Sequence, residues 1–431
     1  MIAIYNTLSG EKEIVRLGDE VKFYLCGPTV YSYIHLGNAR PLVFFDSVVR
    51  YLSIDHKVIF IQNFTDIDDK IIKKAEKEGI SIKEVAEKYI KEYYKDVEEL
   101  NIRKPDIAPK ATEYIEDMIK YIEQLIKEGF AYTTSSGVYF DTSKFDDYGK
   151  LSKRFLPKSR EDDFALWKYS GEIGWEASFG RGRPGWHIEC STMIGSTVGN
   201  VDIHAGGQDL IFPHHENEIA QHESINCTPL AKYWMHNSFI KINNKKMSKS
   251  DGNIIRVRDI LAKYSGNVLR FFILSTHYRK PISFNEDSLD VAEKGFKKLV
   301  NFLSNHFILD GRNDFSECVK EFVLNFHSSM QDDFNTQGAI SSVFKIINKF
   351  NSTDDISQDS YEFMRKEIIK SLRILGFNIE EDNDKAVTEL AKNRLEMKLK
   401  KNYNEADLIR KRLLEMGVEV KDGQKPSWKR K

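Results

Sequence analysis

Alternating runs of apolar and polar residues divide the first part of the chain into strands and helices. The apolar runs at 21–26 and 57–63 have the length of short buried strands, and residues 39–52 between them show a helical spacing of apolar positions. A further helical pattern follows, with Thr65 and Asp66 in the cap position, and Asp66, Asp68 and Asp69 are interpreted as residues that cap this helix and complement its dipole. Strand, helix, strand and helix in this order predict an α/β fold with a parallel sheet of the Rossmann type.

The alternation is then interrupted. Residues 82–128 predict charged helices, and the segment AYTTSSGVYFDT that follows predicts a β-hairpin, so a block at about 95–175 is expected to form an inserted subdomain. After this block the alternation of strands and helices returns. From about Val257 onward the apolar spacing predicts helix throughout, which gives an all-α C-terminal half.

The composition is that of a folded protein in a reducing compartment. The chain has 431 residues, 41% hydrophobic and 30% charged, with a net charge of -1 and only four cysteines. Few thiols in a long chain argue against a disulfide scaffold. The first residues lack a secretory signal, and no run approaches the ~20 apolar residues of a membrane span. We therefore expect a cytoplasmic protein without contact to a membrane.

The charge is unevenly distributed. Residues 390–431 contain 13 Lys and Arg against 6 Asp and Glu, a local net charge of +7. A basic tail on an otherwise acidic chain is typical of a local nucleic-acid surface, although a solvated helical face has the same composition.

The loop between the first strand and its helix reads His35-Leu36-Gly37-Asn38. In open α/β folds ligands bind at such loops, where helix N-termini offer free N–H groups to phosphates. Gly37 has no Cβ, so a flat base can approach its backbone, and His35 can donate to a phosphate oxygen. The same residues also fit an ordinary loop histidine followed by a helix cap at Asn38.

A second candidate motif reads Lys246-Met247-Ser248-Lys249-Ser250. Two lysines around a serine can reach the phosphates of a nucleotide and offset the charge that builds up on a leaving pyrophosphate. A solvated basic loop is the alternative. The two motifs in this order, on either side of an α/β domain, are more specific than either alone.

The pair of motifs resembles the HIGH and KMSKS signatures of class I aminoacyl-tRNA synthetases. The second matches fully, whereas Asn38 replaces the final histidine of the first. Further segments resemble the cysteinyl-tRNA synthetase family nearly from end to end: CGPTVY at 26–31, TDIDDKI at 65–71, GRPGWHIECS at 182–191, DLIFPHHENEIAQ at 209–221, YWMH at 233–236 and DDFNT at 332–336. The resemblance implies a monomeric enzyme that activates L-cysteine with ATP and Mg²⁺ and loads it onto tRNA(Cys).

Two thiols, an imidazole and a carboxylate are candidate metal ligands. Cys26 ends the first strand, Cys190 begins a helix, and His214 and Glu218 are four residues apart on one helical face. Two buried free thiols are the alternative for the cysteines. Spacing alone leaves other ligands open, because the same stretch also contains His187, Glu189, His204, His215, Glu216 and His222.

The resemblance assigns Cys26, Cys190, His214 and Glu218 as the ligands of one Zn²⁺ ion. Because four protein ligands are typical of a closed site, binding of the substrate sulfur implies a fifth position or a loosened Glu218. The zinc–thiolate bond would separate cysteine from serine by more than the ~1–3 kcal/mol that pocket shape supplies. An editing domain would then be unnecessary.

The resemblance also implies the remaining contacts. Thr29, Thr65 and His204 would hold the amino or carboxylate group, and Trp186 would pack on the bound side chain or simply in the core. Ala205 replaces a glycine that the family often has in the adenosine loop. The implied nucleotide-binding residues are His35, Gly37, Asn38, Asp209, Lys246, Met247, Ser248, Lys249 and Ser250, with His35, Lys246 and Lys249 as the catalytic ones.

The implied organisation is a catalytic domain at 1–255, a helical stem-contact region at 256–310, a helical bundle at 311–383 and an anticodon-binding region at 384–431, in which Trp428 would stack on an unpaired base. Two other functions stay open: a ligase that passes activated cysteine to a small amine, and a zinc-stabilised RNA-binding protein without catalysis. The basic helical tail argues against the first, and the intact second motif argues against the other.

Overall fold

The computed structural model describes the chain over residues 1–155, 160–171, 173–242, 245–247, 254–381 and 384–430. The chain forms two compact units. The N-terminal unit comprises residues 1–266 and 276–285, and the C-terminal unit comprises residues 267–275 and 286–431. Over the described ranges, no helix combines the length and the apolar character that crossing a bilayer requires.

The N-terminal unit combines a parallel sheet with smaller sheets and helices. Its strands are β1 (Ala3–Asn6), β2 (Glu11–Ile14), β3 (Glu20–Leu25), β4 (Lys57–Gln62), β5 (Ala131–Thr133), β6 (Gly137–Phe140), β7 (Phe164–Tyr169), β8 (Gly182–Pro184), β9 (Val201–Gly207), β10 (Ala231–Asn237), β11 (Ile240–Ile242), β12 (Lys245–Lys246) and β13 (Ile282–Phe284). Its helices are α1 (Leu36–Leu52), α2 (Asp69–Glu78), α3 (Ile82–Glu99), α4 (Ile115–Lys127), α5 (Ile188–Val198), α6 (Glu216–Asn226) and α7 (Val257–Leu261).

The central sheet has the strand order β10-β9-β3-β4, and all of its pairs are parallel. Phe23 on β3 stands opposite Phe60 on β4 and Ile203 on β9. These side chains and that of Tyr24 are buried, as expected of a sheet covered by helices on its faces. The predicted Rossmann-type parallel sheet is therefore confirmed.

Helix α1 begins three residues earlier than its apolar spacing predicts. His35 is the N-cap residue, and its Nδ1 accepts a hydrogen bond from the backbone N–H of Asn38 at 3.3 Å. The Asn38 side chain accepts in turn from the backbone N–H of His35 at 3.1 Å. This reciprocal capping satisfies N–H groups that a helix end otherwise leaves without partners, so it fixes the start of α1 at Leu36.

The predicted capping of α2 is confirmed for Asp68 and wrong for Thr65 and Asp66. Asp68 caps this helix by accepting from the Lys70 N–H, whereas Thr65 and Asp66 point elsewhere. Asp66 accepts from both the backbone N–H and the hydroxyl of Thr112. Local capping preferences favoured Thr65 and Asp66, but tertiary hydrogen bonds engage both side chains.

The inserted segment is partly as predicted. The hairpin is confirmed, because β5 pairs antiparallel with β6, and β7 and β8 complete a four-stranded sheet. The predicted helices over 82–128 are α3 and α4, but the chain between them is not helical throughout. Residues 100–114 leave α3 and run along β4, where Ile107 and Lys110 form isolated bridges with Ile61 and Phe64.

The C-terminal unit is mainly helical, as predicted. Its helices are α8 (Gly266–Leu274), α9 (Glu286–Ser304), α10 (Ser316–Gln331), α11 (Thr336–Ser352), α12 (Gln358–Ile374), α13 (Lys385–Leu399) and α14 (Tyr403–Glu415), and its strands are β14 (His306–Phe307), β15 (Val418–Lys421) and β16 (Ser427–Arg430). Helix throughout after Val257 is therefore too broad a prediction. Strands of two to four residues are too short to show a period in the sequence.

The short strands form an antiparallel sheet in the order β14-β16-β15. Trp428 on β16 belongs to a buried apolar cluster with Ile308, Val387, Leu413 and Val418. Burying this indole ring stabilises a sheet whose strands are too short to persist alone.

Candidate functional site

Four side chains with metal-binding chemistry converge at the carboxyl edge of the central sheet. Cys26 follows the last residue of β3, and its backbone N–H continues the pairing by donating to Ala205 at 3.1 Å. Cys190 lies in the first turn of α5, His214 lies in the helical turn that precedes α6, and Glu218 lies in the first turn of α6. Strand ends and helix starts meet at this edge in a parallel sheet, which is where such folds bind ligands.

The ligand atoms of Cys26, Cys190, His214 and Glu218, called here the metal-ligand cluster, all lie within 4.8 Å of one another. The two Sγ atoms are 3.9 Å apart, and Cys190 Sγ is 3.6 Å from His214 Nε2. A tetrahedral zinc ion requires about 3.8 Å between two sulfurs and about 3.5 Å between sulfur and nitrogen. Two thiols, an imidazole and a carboxylate at these separations therefore fit Zn²⁺.

A second set of side chains overlaps this cluster. Cys26, His204, His215 and Glu218 also bring their ligand atoms within 4.8 Å of one another. This second set has one thiol, whereas the metal-ligand cluster has two. Thiolates bind soft metals strongly, so the cluster with two thiols is the better zinc site. His204 and His215 also have other partners, so we place them around the cluster rather than in it.

His204 and His215 orient the ligands. His204 is fully buried, and its Nε2 lies 2.7 Å from Glu218 Oε2, while it stacks on Trp234. His215 Nε2 lies 3.2 Å from Cys26 Sγ, and its Nδ1 lies 2.8 Å from His236 Nε2. Such partners fix the rotamers of metal ligands and tune their basicity.

The cluster carries separated charges. Burial opposes ionisation of Glu218, but His204 and His214 together lower its pKa well below the usual range. Burial likewise opposes protonation of His214, yet Glu218 and Cys190 raise its pKa to about 10. The hydrogen bond from Cys26 lowers the pKa of Cys190 to about 6. Burial, by contrast, raises the pKa of the Cys26 thiol well above its usual range. The shifts therefore favour an ionised Glu218 and Cys190 beside a protonated His214, with Cys26 as a neutral thiol.

A small polar group lies next to the cluster. Thr29 and Thr65 form an isolated parallel bridge, and the Thr65 hydroxyl donates to Glu189 Oε2 at 2.8 Å. Glu189 is buried, and burial together with Cys190 raises its pKa well above the usual range. Because Thr65 donates its only hydroxyl proton to Glu189, its oxygen is left to act as an acceptor.

Trp186 is 40% exposed and stacks on the imidazole of His214, with ring centroids 4.3 Å apart. It is thus not a core residue, which favours the interpretation of Trp186 as part of a binding surface. His204, by contrast, contacts Glu218 and is fully buried. Its position suits a role in holding that carboxylate better than the predicted contact with substrate.

The two nucleotide-motif segments touch each other. The backbone N–H of Leu36 donates to Ile255 at 2.9 Å, and that of Val257 donates to Ile34 at 3.1 Å. A Cβ on Gly37 would lie 2.9 Å from the terminal methyl of Met247. The absence of a Cβ at position 37 lets the Met247 side chain and the His35 ring, which would lie 3.1 Å from that Cβ, pack closely against the backbone.

The other predicted nucleotide-binding residues have different positions. His35 Nδ1 is an acceptor, so a neutral His35 carries its proton on Nε2, the donor that a phosphate contact needs. The backbone of Lys246 pairs with Lys241, and Asp209 is exposed in the turn after β9. Ser248, Lys249 and Ser250 lie outside the described residues.

Sequence reasoning missed His236 and Thr7, and it named His187 only as one of several alternative metal ligands. His187 Nδ1 lies 2.9 Å from His214 Nδ1, and His236 lies between His215 and Thr7. The crowding of histidines around His214 was visible in the sequence, but not which of them would turn inward. Thr7 precedes the central sheet by many residues and gave no signal.

Trp428 does not fit its predicted role. Its side chain is 1% exposed and stacks on His306 at 4.0 Å, so it cannot stack on a nucleic-acid base in this structure. Tyr403, 59% exposed at the start of α14, is an accessible aromatic residue in the same basic segment.

Comparisons with known proteins agree with this site. A family model described as "tRNA synthetases class I (C) catalytic domain" matches residues 13–294, and one described as "DALR domain" matches residues 325–380. The chain is 44% identical to a cysteine–tRNA ligase of Caldicellulosiruptor saccharolyticus over 97% of each chain. It is also 44% identical to one of Clostridioides difficile over 99% of each.

The fold has relatives among solved structures. A methionyl-tRNA synthetase of Mycobacterium tuberculosis in complex with methionyl-adenylate superposes with a TM-score of 0.63 at 14% identity. The match covers 83% of this chain and 90% of that one. At such low identity the likeness concerns the fold alone.

Proposed function

The chain belongs to the cysteine–tRNA ligases, a family of class I aminoacyl-tRNA synthetases, and we infer from this membership how its site works. The enzyme activates L-cysteine with ATP to cysteinyl-adenylate, releases pyrophosphate, and transfers the cysteinyl group to tRNA(Cys) with release of AMP. The observation that carries the assignment of chemistry to residues is the convergence of two thiols, an imidazole and a carboxylate within 4.8 Å. One of these thiols, Cys26, lies in the same β3–α1 connection as His35.

We propose that Cys26, Cys190, His214 and Glu218 hold one Zn²⁺ ion. Serine and cysteine have nearly the same shape, so rejecting serine by ~10⁴-fold needs about 5.5 kcal/mol of discrimination. Pocket shape supplies only ~1–3 kcal/mol for a small difference in side chain. When bound, zinc would prefer a soft thiolate over a neutral hydroxyl and so would supply the remaining selectivity.

The surrounding side chains prepare this discrimination. His204 holds one oxygen of Glu218, and Trp186 stacks on His214 and covers it from the exposed side. Thr65 presents an oxygen that can accept from the α-ammonium group of the amino acid, because its proton is already engaged by Glu189. We therefore assign Thr65 to the ammonium rather than to the carboxylate, with Thr29 beside it.

The nucleotide is bound by the two motifs. The substrate carboxylate attacks the α-phosphate in line, and no general base is needed because a carboxylate is already ionised. His35 donates from Nε2, and Lys246 and Lys249 offset the charge on the departing pyrophosphate, with Mg²⁺ entering as part of the ATP substrate. Asp209, exposed after β9, is the proposed partner of a ribose hydroxyl. Catalysis then rests on positioning and electrostatics.

The RNA-binding surface is proposed to lie in residues 384–430, called here the basic tail. Tyr403 replaces Trp428 in the proposed stacking role. It is exposed at the turn between α13 and α14 and is preceded by exposed Lys400 and Lys401. An exposed aromatic ring beside cations is the arrangement that binds an unpaired base and its phosphates. The proposed division is catalysis at 1–255, stem contact at 256–310, a bundle at 311–383 and anticodon contact beyond, in a cytoplasmic monomer.

Pyrophosphate exchange tests the assignment. We expect cysteine to support ATP–pyrophosphate exchange and serine to support little of it. Prior removal of the metal with a chelator should abolish the exchange that cysteine supports. Exchange with cysteine that survives complete removal of metal would contradict the zinc proposal. Exchange that proceeds equally with serine would remove the discriminating role of the metal-ligand cluster.

A further inference from the structure

Arg258, in the first turn of α7, contacts two other parts of the N-terminal unit. Its guanidinium forms ion pairs with Glu92 at 2.8 Å and with Asp96 at 3.1 Å, both on α3. The same guanidinium lies 3.5 Å from the ring centroid of Tyr33, in the loop that precedes His35. One side chain therefore connects α7, α3 and the first nucleotide motif.

The backbone next to Arg258 is fixed to the same loop. Residue 256 forms an antiparallel bridge with His35, flanked by the hydrogen bonds of Leu36 to Ile255 and of Val257 to Ile34. Residues 254–257 are the first described residues after the segment that contains Lys249. The backbone of residues 255–257 is thus hydrogen-bonded to the loop of the first motif.

Tyr33 also contacts α3 directly. Its ring makes an edge contact with Tyr89 on α3, with centroids 5.4 Å apart. Tyr33 thus contacts α3 and the planar guanidinium of Arg258. An arginine can stack on a ring and bind two carboxylates at once because its donors form a rigid planar fork, which a lysine cannot reproduce.

This arrangement is not the one that stability alone favours. Asp96 is buried, its Oδ2 has no hydrogen-bond partner among the described residues, and burial raises its pKa. Arg258 Nε is likewise buried without a partner among those residues. Replacing a whole buried ion pair by apolar packing often costs no stability, so the presence of this ion pair is weak evidence for a purely stabilising role.

We propose that Arg258 is a positioning residue for adenylate formation, which holds the segment after the second nucleotide motif against the loop that contains His35. This rests on the proposed roles of His35, Lys246 and Lys249. The charge on departing pyrophosphate is stabilised only if donors from both motifs reach it together. Releasing the guanidinium from Tyr33 and α3 lets the two segments move relative to each other.

The test uses Arg258→Lys and Arg258→Met in the full-length enzyme. We expect the kcat of cysteine-dependent pyrophosphate exchange to fall about 100-fold in Arg258→Met, the loss that a misplacement of about 1 Å can cause. Arg258→Lys keeps the charge but loses the fork, so it should lose activity as well. The KM for cysteine and the metal content should stay at wild-type values. Transfer from synthetic cysteinyl-adenylate to tRNA should keep its rate, because that step needs no pyrophosphate contacts.

Two further variants complete the design. Tyr33→Leu removes the stacking partner while leaving both ion pairs, and it should reproduce the loss in exchange if Arg258→Met proves too unstable to purify. Lys57→Ala removes a cation from an exposed ion pair with Glu20 at the amino end of β4, and it should leave exchange unchanged.

The outcomes separate this inference from the proposed function. If the wild-type enzyme shows no cysteine-dependent pyrophosphate exchange, the proposed function itself is contradicted. Wild-type exchange together with full activity in Arg258→Met and Tyr33→Leu overturns the positioning role. A parallel fall in exchange, transfer and metal content would also overturn it, since it would show that Arg258 only supports the fold.

Discussion

The metal-ligand cluster and the basic tail hold their functional side chains in opposite ways. In the cluster, Cys190, His214 and Glu218 are buried, and each is fixed by neighbours such as His204. In the tail, α14 buries only Ala406 and Leu413, and most of its charged side chains face solvent. A preorganised cluster should respond to single substitutions steeply, whereas an exposed surface should respond gradually and depend on salt.

The steepest response is expected from a ligand. Cys190→Ser should lose stoichiometric zinc by elemental analysis and reduce cysteine-dependent exchange by about 10³-fold, the several kcal/mol that a metal contributes. Cys227→Ser is the matched control, because Cys227 is an exposed free thiol outside the cluster. Metal retained by Cys190→Ser would move the site to the set that contains His204 and His215.

A smaller loss of zinc affinity is expected when a residue is replaced that contacts a ligand but is not itself a ligand. His204→Ala frees Glu218 Oε2, and the affinity for zinc should fall about 10- to 100-fold in a competition titration with a chromophoric chelator. His222→Gln is the control. His222 is buried on α6, one turn after Glu218, and its side chain forms a hydrogen bond only with Asn226 among the described residues. Equal losses in both variants would mean that any change in the packing of α6 weakens the metal.

The tail should respond more weakly and only in the RNA-dependent step. Tyr403→Ala should raise the KM for tRNA about 10-fold, in the range expected for one lost base stack, while pyrophosphate exchange keeps its rate. Replacing Lys400 and Lys401 by alanine should make that KM less sensitive to salt. Lys320→Ala, which removes an exposed lysine from α10, should do neither. A tail that tolerates these changes would not be the RNA surface.

The smallest effect concerns the fold of the tail itself. Hydrogen bonds from Arg394, with help from Lys398, lower the pKa of Asp422 below its usual range. A lowered folded-state pKa contributes stability above the unfolded value near 4 and loses it as the pH falls further. Asp422→Asn should therefore lower the free energy of unfolding at pH 7 by no more than about 1 kcal/mol, because the ion pair is partly exposed. The measurement is the thermal unfolding temperature, which should fall accordingly. The difference from the wild type should begin to shrink below about pH 4 and should disappear only when the pH falls through the lowered folded-state pKa of Asp422.

The sequence predicted the parallel sheet, and the resemblance to the cysteinyl-tRNA synthetase family proposed Cys26, Cys190, His214 and Glu218, whose ligand atoms lie within 4.8 Å of one another in the structure. It did not predict that Thr65 would bond Glu189 or that His236 would reach Thr7, since these contacts join residues without any regular spacing. Trp428 was misjudged for the same reason. A lysine- and arginine-rich segment suggests exposure, whereas a three-stranded sheet buries its indole.

The strand order of that small sheet also bears on how the protein is made. β16, residues 427–430, lies between β14 and β15 as the middle strand. Until residues 427–430 have been synthesised and have left the ribosome, β14 and β15 have no strand between them. The apolar cluster that contains Ile308 and Leu413 can therefore close only after Trp428 has emerged.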